Sequence, residues 1–227
     1  MGIQTYLHRT EEQIAKACKR AGRGQGEVTL IAVSKTKPVE LLKEAYEGGA
    51  RQFGENRVQE LLSKIPQMPE DVRWHLIGHL QTNKVRQVVG KTCLIHSVDS
   101  LKLAKEIERE SEKQNFVTDI LLEVNVAKEE SKFGFLLDET EEALKIISGF
   151  AHVRVCGLMT VAPFVEDAEK NRPVFRKLYE FYVDMKTKNI DNGSMTTLSM
   201  GMTGDFQVAI EEGATMVRVG TGIFGAR

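Results

Sequence analysis

Lys35 is the residue of this sequence whose position best suits covalent chemistry. It directly follows residues 28–34, a short, mostly apolar, β-branched run that is typical of a buried parallel strand. Partial burial at a strand end disfavours the ammonium form and leaves a nucleophilic amine, which condenses with carbonyl compounds to a Schiff base. The position fits equally well a surface lysine whose ammonium reaches water. Lys37, just before Pro38, is expected to be solvent-exposed.

Two glycine-rich segments near the C-terminus could bind an anion. They read SMGMTGDF over 199–206 and RVGTGIFG over 218–225. Glycine lets the backbone approach an anion closely, and hydroxyl groups can donate hydrogen bonds to it. The same glycines could simply form tight turns, so one such segment is weak evidence and two strengthen the hypothesis. The residues concerned are Ser199, Gly201, Thr203, Gly220, Thr221 and Gly222.

Arg218 lies between Val217 and Val219 inside the last apolar run. A guanidinium among apolar residues needs a partner. The partner could be a carboxylate in a structural ion pair, or it could be the ring nitrogen of a cofactor. In the second case the charged arginine donates a hydrogen bond, and the ring nitrogen stays unprotonated and is a weak electron sink.

The elements that must position these residues form a regular alternation. The predicted strands are residues 28–34, 51–55, 74–78, 94–98, 119–125, 153–160, 196–200 and 216–220. The predicted helices are residues 2–21, a segment opened by Pro38, and residues 56–64, 81–89, 100–113, 138–149, about 165–187 and 204–212. Strands that alternate with helices indicate a parallel sheet, and eight units favour a closed (β/α)8 barrel. We expect one domain over residues 1–227, with residues 1–24 as an extra N-terminal helix packing on the barrel.

The carboxyl ends of barrel strands meet at one face, where function resides. An amine, amides, an imidazole, hydroxyls and glycines end the predicted strands, which indicates a single site. The predicted cofactor-binding residues are Lys35, Asn56, His79, Met159, Ser199, Met200, Gly201, Arg218, Gly220 and Thr221. The strand ends carry no carboxylate cluster and no close set of metal ligands, so no metal is expected.

Composition limits the partners and the compartment. The 227 residues carry 31 Lys and Arg against 32 Asp and Glu, so neither nucleic acid nor a membrane surface is expected as a partner. No apolar run approaches the ~20 residues of a membrane span. The three cysteines fit a reduced, cytoplasmic protein rather than a disulfide framework. We expect a monomer.

Six ordered motifs resemble those of the pyridoxal phosphate homeostasis protein family over about residues 28–226. The motifs are AVSKTKP around Lys35, FGENRVQE around Asn56, WHLIGHLQTNK around His79, GLMTVAP around Met159, LSMGMTGDF around Ser199 and VRVGTGIFG around Arg218. The resemblance implies a fold-type III barrel, similar to the N-terminal domain of alanine racemase.

The resemblance also implies roles for individual residues. It implies pyridoxal phosphate as a Schiff base on Lys35 and a contact from Arg218 to the pyridine nitrogen. It implies phosphate contacts from Ser199, Gly220 and Thr221. It further implies that Asn56 and His79 line the pocket. The implied function is to hold pyridoxal phosphate for intracellular homeostasis and to supply it to apo-enzymes.

The alternative is an amino-acid racemase of weak activity that uses the same cofactor. A racemase of this fold needs a second base, which in alanine racemase is a tyrosine supplied with the help of a C-terminal β domain. The sequence ends directly after the eighth unit, and all its tyrosines fall in predicted helices: Tyr6, Tyr46, Tyr179 and Tyr182. A missing base costs ~10²–10⁴ in rate, so a carrier is favoured over an enzyme. A class I aldolase ranks last, because no acid–base pair is evident beside Lys35.

Overall fold

The structure is a computed structural model that describes residues 2–188 and 195–225. Eight parallel strands close into a barrel, in which each strand pairs with the next and the last pairs with the first. The strands are β1 Thr29–Val33, β2 Gln52–Glu55, β3 Arg73–Leu76, β4 Leu94–Val98, β5 Thr118–Glu123, β6 Val153–Met159, β7 Thr197–Met202 and β8 Met216–Val219. The predicted (β/α)8 barrel is confirmed. The end of the predicted 1–227 domain lies outside the described residues.

Helices cover the outside of the barrel. They are α1 Ile3–Arg20, α2 Val39–Glu47, α3 Val58–Lys64, α4 Val85–Val88, α5 Leu101–Lys113, α6 Leu137–Ile147, α7 Arg172–Thr187, α8 Phe206–Glu211 and α9 Thr221–Phe224. Their apolar faces pack on the outward-facing strand residues, which include Phe53 and Trp74 with ring centroids 5.8 Å apart. No helix in the described ranges is long and apolar enough to cross a membrane.

The N-terminal helix α1 lies against the barrel. Its residues Leu7, Ile14 and Ala17 are buried in the same core as the strands. Just after α1, the Arg23 guanidinium donates to the carbonyl oxygens of Ile210 and Ala214, at 2.9 and 2.8 Å. Apolar burial and polar anchoring therefore both fix this end of the chain to α8 and to the loop that follows it.

Three helical segments differ from their predicted extents. The helix predicted over 81–89 is a 3₁₀ turn, Thr82–Lys84, followed by the single turn α4, and Gly90 with φ of +72° then redirects the chain towards β4. The helix predicted from about residue 165 begins at Arg172, after a 3₁₀ turn. The short helix α9 follows β8, where the alternation predicted none.

The inner face of the barrel is partly polar. Side chains alternate between the two faces of a strand, and a separate apolar cluster of Leu94, Leu121 and Met159 lies on the face opposite the main core. Buried polar residues occupy the same inner face, namely His75, His96, Ser199 and Arg218. Buried polar side chains need hydrogen-bond partners, so these residues must find partners inside the barrel.

Candidate cofactor site

A cavity of about 700 Å³ opens at the carboxyl ends of the strands. Its volume suits a small organic ligand. Five of the ten predicted cofactor-binding residues line it: Lys35, Asn56, Arg218, Gly220 and Thr221. The cavity therefore brings together the amine, the amide, the guanidinium and parts of both glycine-rich segments.

Lys35 lies half-buried in the cavity wall, in a turn that is anchored on both sides. The buried Lys64 ammonium donates to the carbonyl oxygen of Ser34 at 2.9 Å. The Thr36 backbone N–H donates to the Glu60 carboxylate at 2.6 Å, and that carboxylate also pairs with Lys64 at 2.6 Å. Thr36 has a φ of +63°, a conformation that a β-branched residue adopts only when its surroundings impose it. The turn thus holds Lys35 at the cavity.

Asn56 presents an unused acceptor at the cavity. Its Oδ1 atom is buried and has no hydrogen-bond partner among the described residues. Since buried polar atoms are nearly always hydrogen-bonded, an orphaned amide oxygen in a cavity wall is a place for a donor group of a ligand.

Arg218 is buried beneath the cavity and held by two hydrogen bonds. Its Nη1 donates to Ser199 Oγ at 2.6 Å and its Nη2 donates to the Thr160 carbonyl at 2.8 Å. Burial lowers the pKa of Arg218 to about 10, against the opposing charges of Glu123 and Asp205, so the guanidinium remains charged at neutral pH. No carboxylate in the described ranges forms an ion pair with it, and its free N–H groups can serve a ligand.

The loops after β7 and β8 meet at the cavity and form its anion-binding part. The Gly220 N–H donates to Thr203 Oγ1 at 3.2 Å, which joins the two loops. Within the described residues, the backbone N–H groups of Gly204 and Thr221 have no hydrogen-bond acceptor and lie in the cavity wall. Unpaired N–H groups and threonine hydroxyls in glycine-containing loops are donors that suit a phosphate group.

Ser199 is not among the residues that line the cavity, and its predicted role as a phosphate ligand stays a prediction. It is fully buried, and its hydroxyl contacts Arg218 at 2.6 Å and His96 Nδ1 at 3.0 Å. The residue lies in the strand itself rather than in the loop, so its side chain points to the barrel interior. Its hydrogen bond to Arg218 connects it to a residue of the cavity wall.

Met159, Met200 and Gly201 are also not among the residues that line the cavity, and their predicted cofactor contacts stay predictions. Met159 packs in the inner apolar cluster, and Met200 packs in the outer core. Gly201 has a φ of +89°, and a Cβ atom there would lie 2.5 Å from the Cβ of Ala209. This glycine therefore allows the close packing of α8 on β7, and it does not contact the cavity.

His79 is not among the residues that line the cavity, and its predicted place in the pocket stays a prediction. Lys37, which was predicted to be solvent-exposed, lies in the cavity wall instead. The exposed His79 ring stacks on Phe133 with centroids 3.9 Å apart, and its Nδ1 contacts Asp99 at 2.9 Å. β3 ends at Leu76, so His79 follows an irregular turn that redirects it. Lys37 is half-buried, and its Nζ donates to the Gly225 carbonyl at 3.1 Å.

Glu123 is a titratable residue near the site that the sequence analysis did not identify. It ends β5 on the inner face, whereas the predicted strand end, Asn125, forms a local turn with Glu129. Burial and the charge of Asp99 raise the pKa of Glu123 to about 7, against the attraction of Arg218. A single Glu at the end of an apolar run is the signal that could have revealed it.

The raised pKa of Glu123 predicts a pH-dependent stability. The folded pKa of about 7 exceeds the ordinary value of 4.5, so this group stabilises the fold fully below pH 4.5 and the contribution is lost as the pH rises through 7. Between pH 5 and 8 we expect the free energy of unfolding to fall by roughly 2–3 kcal/mol from this residue. Urea unfolding of wild type and Glu123→Gln measures it, and an equal pH dependence in both proteins contradicts the assignment.

Comparisons with known proteins agree with this architecture. Residues 6–227 match the family model described as alanine racemase, N-terminal domain. A pyridoxal phosphate homeostasis protein of Aquifex aeolicus is 47% identical, over 97% of this chain and 96% of the relative. PipY of Synechococcus elongatus PCC7942, solved with PLP bound, is 35% identical with a TM-score of 0.81, over 93% of this chain and 100% of that chain.

Alanine racemase itself shares the fold. The alanine racemase of Clostridium difficile 630 superposes with a TM-score of 0.75 at 12% identity, and the match spans 98% of this chain and 57% of that one. The relatives that match at higher identity over their full length identify a narrower family than the shared fold does. The chain therefore belongs to the pyridoxal phosphate homeostasis protein family, and its fold is that of the alanine racemase N-terminal domain.

Proposed function

We propose that this protein binds pyridoxal phosphate covalently through Lys35 and supplies it to apo-enzymes. The observation that carries the proposal is the convergence of the half-buried Lys35 amine, the charged Arg218 and the donor-rich loops in one cavity. The relative PipY, 35% identical over nearly the whole chain, was solved with PLP bound.

The donor set of the cavity fits this cofactor. When bound, pyridoxal phosphate supplies an aldehyde that condenses with amines, and Lys35 provides the amine. Arg218 is a donor for the pyridine nitrogen, and the orphaned Asn56 Oδ1 is an acceptor for a donor group of the ligand. The phosphate would be held by N–H groups and hydroxyls of Thr203, Gly204, Gly220 and Thr221.

The polar groups around the cavity favour a carrier over a racemase. The four tyrosines of the chain lie in α1, α2 and α7, and none of them lines the cavity. The Asp205 carboxylate lines the cavity, but its two oxygens accept hydrogen bonds from the Met202 N–H at 2.7 Å and from Asn171 Nδ2 at 2.8 Å. Neither the tyrosines nor the Asp205 carboxylate is therefore suited to act as the second base that racemisation requires. The charged Arg218 also disfavours protonation of the ring nitrogen, which weakens carbanion stabilisation.

The remaining features of the proposal concern the state of the chain. It is a single domain, it is a monomer, and it acts in the cytoplasm. The unpaired thiols of Cys18, Cys93 and Cys156 support a reducing compartment. The closed barrel, which leaves no free strand edge for pairing with another chain, supports the monomer.

A transfer assay tests the carrier function. Protein loaded with pyridoxal phosphate is mixed with an apo-enzyme that needs this cofactor, in the presence of an excess of a phosphatase that dephosphorylates free cofactor and so removes it. We expect recovery of the apo-enzyme's activity despite the phosphatase. Recovery that disappears with the phosphatase contradicts direct supply, and steady racemisation of an amino acid at enzyme-like rates supports the racemase instead.

A further inference from the structure

A continuous chain of hydrogen bonds crosses the barrel interior and ends at Arg218. Ser199 Oγ lies 3.0 Å from His96 Nδ1, His96 Nε2 lies 2.9 Å from His75 Nδ1, and His75 Nε2 lies 2.7 Å from Gln52 Oε1. At the other end, Arg218 Nη1 lies 2.6 Å from Ser199 Oγ. The two rings pack edge to face with centroids 5.1 Å apart, and both are fully buried or nearly so.

Both imidazoles of the chain are neutral. Burial lowers the pKa of His75 to about 3, and the nearby charge of Arg73 contributes. Burial, His75 and Arg218 together hold the pKa of His96 well below its usual range. A neutral imidazole has one N–H donor and one acceptor nitrogen. A ring that accepts a hydrogen bond on one side therefore donates one on the other, and both bonds point the same way along the chain.

The two ends of the chain fix its direction. The amide oxygen of Gln52 only accepts, so His75 donates through Nε2 and accepts through Nδ1. The Cys93 thiol also lies 3.4 Å from His75 Nε2, but it donates its own proton to the Trp74 carbonyl oxygen at 3.2 Å, so it does not reverse this direction. His96 must then donate through Nε2 and accept the Ser199 proton at Nδ1. Arg218 only donates, which agrees with this direction because Ser199 Oγ accepts from it.

We propose that Ser199, His96, His75 and Gln52 are positioning residues that hold the Arg218 guanidinium in one orientation towards the cavity. Every bond of the chain points from Arg218 to Gln52. Because an arginine has no acceptor, the chain cannot carry protons to or from the cavity, and its role is orientation. The importance of that orientation for the pyridine ring rests on the proposed function.

The first test is independent of any ligand. Two-bond ¹⁵N–¹H correlation spectra of uniformly ¹⁵N-labelled protein at pH 7 report the tautomer of each histidine, and His75→Gln and His96→Gln spectra assign the two signals. We expect neutral rings with the proton on Nε2 for both residues. A proton on Nδ1, or an imidazolium, at either residue overturns the directed chain. In Gln52→Leu, which removes the terminal acceptor, His75 should populate both tautomers.

The second test measures the effect on cofactor binding. Ser199→Ala should move the His96 Nδ1 signal towards that of an unbonded nitrogen, weaken pyridoxal phosphate binding about tenfold and shift the absorbance maximum of the bound cofactor. Ser199→Thr, which keeps the hydroxyl, should restore both. The control is Ser111→Ala, which removes an equally buried serine hydroxyl that bonds Thr118 at 2.7 Å outside the barrel interior.

The outcomes separate the two proposals. Unchanged affinity and absorbance in Ser199→Ala, or equal losses in Ser111→Ala, overturn the positioning role. If wild-type protein binds no pyridoxal phosphate, the proposed function fails, and the tautomer spectra still decide whether the directed chain exists.

Discussion

Replacing Lys35 with alanine is expected to abolish covalent attachment of pyridoxal phosphate and to weaken its binding on the order of 100-fold. Lys35 lies in the cavity wall two residues after β1, and its loss leaves the noncovalent contacts of Arg218 and of the loops after β7 and β8. The yellow colour of bound cofactor should disappear. Absorbance spectroscopy and equilibrium dialysis of the variant measure both effects.

A matched control separates this effect from a general loss of positive charge. Lys43→Ala removes an exposed lysine from α2, the helix that follows the Lys35 loop, and should leave absorbance and affinity unchanged. Circular dichroism should show the same fold for both variants, because neither lysine is part of the core. A Lys35→Ala protein that keeps the absorbance band of the wild type contradicts the assignment of Lys35.

Replacing Gly201 with alanine is expected to destabilise the fold by about 3 kcal/mol or more. The residue has a φ of +89°, and a Cβ atom there would lie 2.5 Å from the Cβ of Ala209 and 2.9 Å from the Cα of Phe206. Relief requires α8 to move away from β7, which separates two buried surfaces. Urea or thermal unfolding measures the loss.

Gly204→Ala is the control, because it changes a glycine three residues later in the same segment. A Cβ atom at Gly204 meets nothing within 4 Å, and its φ lies outside the left-handed region. We expect its unfolding midpoint to stay close to that of the wild type. If Gly201→Ala instead keeps full stability and loses only cofactor affinity, Gly201 is a phosphate ligand and the packing interpretation is wrong.

The fold followed from the sequence because its signal is repeated eight times. Each apolar run of β-branched residues lies at or within a few residues of a strand, and β4 occupies the predicted residues 94–98. Lys35, Gly220 and Thr221 line the cavity because each lies within two residues after a strand, where side chain and backbone reach the barrel mouth in either strand register.

The part of the site within the strands could not be predicted, because the face of each residue depends on register. β7 and β8 shift register between Ser199 and Met202, so counting along the strand does not reveal how close Ser199 and Gly201 come to the mouth. The direction of His79 depends on Gly78, where a Cβ atom would lie 2.5 Å from the Asn56 carbonyl oxygen. Both features depend on contacts between segments that are far apart in the chain, so the residues next to them in the sequence do not reveal them.

The contacts inside the barrel could not be predicted from the sequence either. His75 and His96 each sit in an apolar run that reads as an ordinary strand, and only the closed barrel brings them within 2.9 Å of each other. The same closure places Ser199 between His96 and Arg218. Ser199 thus contacts the arginine, while its predicted contact with the phosphate stays a prediction.

Peptide mapping after borohydride reduction identifies the lysine that binds pyridoxal phosphate. Wild-type protein is incubated with pyridoxal phosphate, reduced, digested and analysed by mass spectrometry. We expect one stoichiometric pyridoxyl-phosphate label, on the peptide that contains Lys35 and at that residue rather than at its neighbour Lys37. A label on Lys37 or elsewhere, or no label, contradicts the assignment of Lys35.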